Sequence, residues 1–231
     1  MPAADIVFIL VEPARAENVG AAARAIKTMG FDQLWLVNPC DLEKEARWVA
    51  HESQDILDNA RCFSSLEQAL ALVDFSVATT ARRRLQRDDY LTPAACCQAI
   101  FGKGGGISRA ALVFGRESSG LTGAEMQLCD AATRLPIANP QPSLNLGQAV
   151  MLYAWEMSKA SDAAPATELP GKAQSNSSDQ AGYAVVKQAL NKRLENIGVA
   201  PEDNLHRWTM EGVSRFDQRD LGMLMQILKR L

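Results

Sequence analysis

The sequence predicts an α/β protein: a mainly parallel β-sheet with helices on both faces, extended by a small α-helical region at the C-terminus. Three observations carry this. Residues 6–11, IVFILV, are apolar without alternation, as expected of a strand covered on both faces. Such runs recur, each followed by a polar loop and a segment with apolar residues at helical spacing, the alternation that parallel crossovers require. Residues 161–180 are rich in Ala, Ser and Pro and hold almost no large apolar side chain, so they read as a flexible linker. The expected organisation is an α/β domain at 1–160, the linker at 161–180 and the helical extension at 181–231.

The first strand leads through a polar loop to Asn18, a good N-cap, and to a helix reaching about Met29, which Gly30 stops. Val19, Ala22, Ala23, Ile26 and Met29 form its apolar face. A glycine inside a helix costs roughly 1 kcal/mol against alanine. One turn before Arg24, Gly20 leaves room for the guanidinium to lie back over the helix start; the alternative is a plainly exposed Arg24. Residues 34–37 form the second strand, 43–60 are mainly helical, and Ser64-x-x-Glu67 reads as a capping box opening a helix to about residue 73. Residues 75–78 are the third strand, 92–101 a short helix, 103–107 a glycine-rich turn, 111–114 the fourth strand, 124–129 a helix and 134–137 the last strand.

Pro140 and Pro142 then impose an extended turn. Ser143 is a good N-cap, and an apolar helix follows through Leu144, Val150, Met151, Leu152 and Trp155. A strand end, a tight polar loop and a helix N-terminus bring free backbone N–H groups into one place, which is a ligand site or an ordinary connection. The extension holds amphipathic helices at 183–196 and 217–229 with a polar stretch around Trp208 between them. It is too small to bury much core alone, which predicts packing on a partner or another subunit.

Composition narrows the function. With 231 residues, 47% hydrophobic and 22% charged, the chain is ordinary globular material, and its apolar runs are too short to span a bilayer. Residues 1–5 lack the basic start of a signal peptide. Cys40, Cys62, Cys96, Cys97 and Cys129 form no Cys-x-x-Cys pair, which points to free thiols in a reducing cytoplasm rather than disulfides or zinc. Two histidines, His51 and His206, leave little material for a histidine metal centre or a Ser-His-Asp triad. The net charge of −3 is uneven: residues 1–160 carry 15 Lys+Arg against 18 Asp+Glu, 161–180 one against three, and 181–231 eight against six. Arg82, Arg83, Arg84 and Arg87 cluster as a solvated loop or as phosphate contacts.

Two phosphate motifs fail. Residues 115–122 have P-loop spacing, but Leu121 stands where the phosphate-binding lysine belongs. The loop after the first strand, Glu12-Pro13-Ala14-Arg15, has no Gly-x-Gly-x-x-Gly, which argues against a dinucleotide oxidoreductase. What remains is three strand-end loops, 79–82, 115–120 and 137–145, at the sheet end where open α/β folds bind ligands. They offer small residues, backbone groups and few charges, suited to a nearly neutral, adenosine-like ligand.

Three ordered motifs, Asn18-x-Gly20-x-x-x-Arg24, Phe114-Gly115-x-Glu117-x-x-Gly120-Leu121, and Asn139-Pro140 with Ser143-Leu144-Asn145-Leu146, resemble those of the SPOUT-class, TrmH-like RNA ribose 2′-O-methyltransferases. The resemblance covers about residues 5–158 and is closest to the bacterial TrmJ-type tRNA enzymes, which modify a cytidine or uridine ribose at position 32 of the anticodon loop. Arg215-Phe216 and the helix after it are similar to that subgroup's extension.

The resemblance implies a C-terminal trefoil knot, S-adenosylmethionine as cofactor, tRNA as substrate, and an obligate homodimer whose active sites are completed across the interface. No metal is required. It implies that Thr79, Thr80, Ala81, Gly115, Gly120, Ile137, Leu144 and Asn145 hold the cofactor, and that Ser143 faces the methyl centre. Arg24 is the implied catalytic residue. Glu117 supports the second loop or is a solvated turn carboxylate; Asn18 holds loop geometry beside the substrate or is a mere N-cap. Arg82, Arg83, Arg84 and the basic extension are candidates for the tRNA backbone. The competing expectations are a ribosomal-RNA methyltransferase of the same class and a non-catalytic knotted RNA-binding module.

Overall fold

The first apolar run becomes β1 (Asp5–Val11), and its side chains part by pleat parity. Ile6, Phe8 and Leu10 enter one buried cluster, while Val7, Ile9 and Val11 enter a second on the opposite face. Both faces of the sheet are therefore covered, which is why the run shows no polar alternation. The computed structural model describes residues 4–42, 44–81, 90–138, 144–162 and 182–230.

Six strands pair in parallel in the order β3-β2-β1-β5-β4-β6. They are β1, β2 (Gln33–Val37), β3 (Arg61–Phe63), β4 (Phe75–Thr80), β5 (Arg109–Phe114) and β6 (Ala131–Arg134). The thicker helical layer holds α1 (Ala16–Thr28), α2 (Lys44–Ala50), α3 (Gln54–Asp58), α5 (Pro93–Phe101) and α7 (Leu146–Asp162). The thinner layer holds α4 (Leu66–Leu70) and α6 (Gly123–Leu128). The strand order reverses beside β1, so the carboxyl ends of β1, β5, β4 and β6 share one rim. The chain leaves β4 on one side of β6 and returns on the other, where Leu91 pairs with Thr133. Residues 82–89 and 139–143, on whose course a knot depends, lie outside the described residues.

Several boundaries depart from expectation. Arg15, not Asn18, precedes α1, and it makes no side-chain cap; Asn18 lies inside the first turn. The cap of α4 is Ser65, which accepts from the Gln68 N–H, one residue beyond the expected Ser64. β6 comes earlier than residues 134–137 because its pairing with β4 spans Val77–Ala131 to Thr80–Arg134. β3 and α9 (Asn204–Ser214) were not anticipated: one is very short and the other reads as polar.

Gly20 has another reason than the one expected. A Cβ there would stand 2.3 Å from the Ala46 carbonyl oxygen, so the glycine lets α2 press against α1. Helix α7 starts at Leu146, with Asn145 in the cap position that Ser143 was expected to fill. The Gly147 N–H donates to Asn145 Oδ1 at 2.8 Å, and the Asn145 N–H donates to Gln148 Oε1 at 3.0 Å. Its buried face is Leu146, Val150, Tyr153, Ala154 and Met157, whereas Leu152 and Trp155 are exposed.

The extension packs on its own chain rather than requiring a partner. α8 (Tyr183–Asn196) and α10 (Gln218–Arg230) put Tyr183, Val186, Leu190, Leu221 and Met225 into the same cluster as the sheet. Lys103, fully buried, donates from Nζ to the carbonyls of Ser214 (2.6 Å) and Phe216 (3.0 Å) and lies over the rings of Phe75 and Tyr183. In return, Lys187 of α8 pairs with Asp130, just before β6. No helix among the described residues is long and apolar enough to cross a membrane.

Candidate active site

The carboxyl ends of β4, β5 and β6 and the start of α7 enclose a cleft of about 260 Å³. Of the residues expected to hold a cofactor, Thr79, Thr80, Ala81, Gly115, Gly120, Ile137 and Leu144 line it. Its apolar walls are Phe114, Leu135, Ile137, Leu144 and Leu146. Tyr153 closes it from α7; burial pushes that phenol's pKa well up, so the ring is a neutral wall. The Thr79 hydroxyl turns inward and donates to the Val113 carbonyl at 2.9 Å.

Behind the cleft, one chain of hydrogen bonds ties the three motifs together. Asn145 Nδ2 donates to Asn18 Oδ1 at 2.7 Å, and Asn18 Nδ2 donates to Glu117 Oε1 at 2.8 Å. The other Glu117 oxygen accepts from the Ala14 N–H at 3.0 Å. Burial would raise the Glu117 pKa, but these donors more than offset it and hold the carboxyl below its ordinary value. Glu117 is therefore no solvated turn carboxylate, and Asn18 no N-cap. Asn145 is not among the lining residues; its side chain is spent on Asn18 and on the cap of α7.

The loop after β5 closes tightly. A Cβ on Gly115 would come within 2.2 Å of the Gly120 carbonyl carbon and the Leu121 nitrogen, so only glycine fits. Gly120 turns the chain at φ 70° and donates its N–H to the Arg116 carbonyl at 2.8 Å. Arg116, which sequence reasoning passed over, forks onto Glu125 with two bonds of 3.0 Å and reaches Glu12 at 2.8 Å. Those two carboxylates raise its pKa further, so it is a permanent cation, already neutralised. The signals for it were Glu12 at a strand end and the Thr122-x-x-Glu125 capping box, but nothing in the sequence pairs them.

Arg116 and Glu117 are the only charged side chains among the described lining residues, and both are compensated. The cleft can thus seat a ligand with an apolar ring and a small polar portion, held by backbone groups and hydroxyls. Arg24 is exposed on α1 and is not among the lining residues. Ser143, Arg82, Arg83 and Arg84 lie outside the described residues.

Comparison with known proteins agrees with this geometry. The model of the SpoU rRNA methylase family matches residues 5–155. The chain is 43% identical over 224 residues to a protein of Escherichia coli K12 described as an uncharacterized tRNA/rRNA methyltransferase, LasT, covering 96% of this chain and 95% of that one. It is 39% identical over 158 residues to the tRNA (cytidine/uridine-2′-O-)-methyltransferase TrmJ of Klebsiella pneumoniae, over 68% of this chain and 64% of the relative. Its fold superposes on the crystal structure of TrmJ from Z. mobilis ZM4 with a TM-score of 0.65 at 26% identity, covering 97% of each chain.

Proposed function

Since this chain belongs to the SpoU rRNA methylase family, we propose that it methylates the 2′-hydroxyl of a pyrimidine ribose in the anticodon loop of tRNA, at position 32, using S-adenosylmethionine. The observation that carries this is the neutral, apolar-walled cleft at the strand ends, built from loops that Asn18 bonds into one unit. Similarity to the TrmJ enzymes supports the tRNA substrate.

The residues present fit the cofactor. Leu135, Ile137 and Leu144 suit a purine, the 115–120 loop brings backbone within reach, and among the described lining residues no uncompensated cation opposes a sulfonium. When bound, S-adenosylmethionine supplies a methyl group on an already strong electrophile. The chain must then align the ribose oxygen and help it lose its proton. A guanidinium stays protonated, so Arg24 acts first by gripping the neighbouring phosphate bidentately and orienting the hydroxyl. Ser143 stands by the methyl centre in this reading, and Arg82, Arg83, Arg84 and the extension contact the tRNA backbone.

On the same reading the sheet's C-terminal part is knotted and the protein is a cytoplasmic homodimer. Support for the dimer comes from Leu152 and Trp155, 39% and 51% exposed on α7, and from Arg24 lying outside its own chain's cleft. A partner's Arg24 would complete the site.

The test is methyl transfer from labelled S-adenosylmethionine to total tRNA and to ribosomal RNA, followed by nucleoside mass spectrometry. A 2′-O-methylated pyrimidine mapped to the anticodon loop is expected. Transfer to ribosomal RNA alone establishes the second reading, which the family's description favours. Arg24→Ala should abolish turnover and leave cofactor affinity nearly intact; a large loss of cofactor binding refutes this division of labour.

A further inference from the structure

Glu12 follows β1 with a φ of 45°, a left-handed conformation that side chains other than glycine and asparagine rarely adopt. Strain of this kind persists only where the surroundings hold it, and it gathers at functional sites. The Glu12 N–H donates to the Val37 carbonyl at 2.8 Å, and its side chain is held by Arg116, whose Nε donates to the carboxylate at 2.8 Å while the other end of the guanidinium forks onto Glu125. Glu125 is fixed in turn, because its carboxylate accepts from the Thr122 N–H at 2.7 Å in the cap of α6. One planar cation therefore joins the end of β1, the start of α6 and the loop from Gly115 to Gly120 that walls the cleft.

We propose that Arg116 is a positioning residue that pre-forms the 115–120 loop for the cofactor, with Glu12 and Glu125 as its two fixed anchors. This rests on the functional reading above. Without the clamp, the loop samples open shapes when empty, and binding must select the competent fraction. The apparent dissociation constant rises as that fraction falls. Once the cofactor is bound it orders the loop itself, so turnover at saturating cofactor changes little. Lysine cannot replace arginine, because one ammonium lacks the fork that spans both carboxylates.

The experiment compares the full chain with Arg116→Gln, Arg116→Lys, Glu12→Gln and Glu125→Gln. Calorimetry reads S-adenosylmethionine affinity, kinetics read kcat, and hydrogen exchange reads residues 114–122 in the cofactor-free protein. Glutamine at 125 keeps an acceptor for the α6 cap, so the helix start survives. Arg116→Gln is expected to weaken cofactor binding about tenfold with kcat within about twofold, a competent fraction cut to about one tenth. Arg116→Lys should recover only part of this, and exchange in the loop should quicken in all four variants. Unchanged affinity with a lowered melting point makes Arg116 a structural residue only and overturns the proposal. So does a fall in kcat with affinity intact. If the unmodified protein binds no S-adenosylmethionine, the functional reading fails, while loop exchange still decides whether the clamp exists.

Discussion

Asn18 has to be an asparagine because it must accept on one side and donate on the other: Oδ1 takes the Asn145 amide and Nδ2 serves Glu117. Asn18→Asp keeps the shape and removes the donor, setting a second carboxylate against Glu117. It should destabilise the protein by about 2–4 kcal/mol in denaturant titration at pH 7, through an unpaired buried charge. The loss should shrink on acidification. The depressed Glu117 pKa means that its contribution is present above the ordinary glutamate value and fades as pH falls through the folded value. A loss that stays constant with pH would rule this account out. The sequence motifs pick out Asn18, Glu117 and Asn145 singly. Their bonding was not legible, because the partners lie 99 and 127 residues apart and an N-cap explains an asparagine near a helix start equally well. Arg116 was hidden for the same reason: its two carboxylates come from separate elements.

Among the elements, the long apolar strands and amphipathic helices were readable, since their pattern states which face is buried. β6 was misplaced because Ala131, Ala132 and Thr133 are small, and the buried Thr133 hydroxyl is satisfied only by distant partners: it donates to the Leu91 carbonyl at 3.0 Å and accepts from the Tyr153 hydroxyl at 3.3 Å. Gly20 shows how packing overrides local preference. Alanine favours a helix over glycine by about 1 kcal/mol, so Gly20→Ala would stabilise an isolated helix. Here the added methyl meets backbone, the Ala46 carbonyl oxygen at 2.3 Å and the Ala50 nitrogen at 3.1 Å, which cannot rotate away. We expect net destabilisation of about 1–3 kcal/mol, read from the denaturation midpoint, as α2 is pushed off α1. A more stable variant would show that the α1–α2 approach is looser than these distances imply.

At the scale of the molecule, the extension shares the core of the sheet domain. That was not legible, because Lys103 sits in a stretch that reads as a glycine turn. Burial lowers its pKa from 10.5 to about 8, with Asp130 and Asp217 opposing. The folded state therefore holds this proton less tightly than the unfolded chain. Its charge weakens the fold below about pH 8, and that cost is relieved as pH rises from 8 toward 10.5. Lys103→Met leaves the Ser214 and Phe216 carbonyls without their donor and should lower stability by about 2 kcal/mol at pH 7. The gap to the unmodified protein should widen between pH 8 and 10. A gap that narrows would mean that the ammonium, not the amine, is what the fold prefers.

The bond between Asn18 and Asn145 also has a consequence for biosynthesis. Its two ends leave the ribosome 127 residues apart, and the cleft takes its walls from as far along the chain as Tyr153. The first strands can pair early, since β1 and β2 are neighbours in sequence, but closing so long a loop waits on the rest of the domain. A nascent or truncated chain that ends before residue 145 therefore carries two of the three motifs and no assembled site. Only chains that extend past Tyr153 can assemble the cleft, so a product terminated before it is inert however well its first half folds.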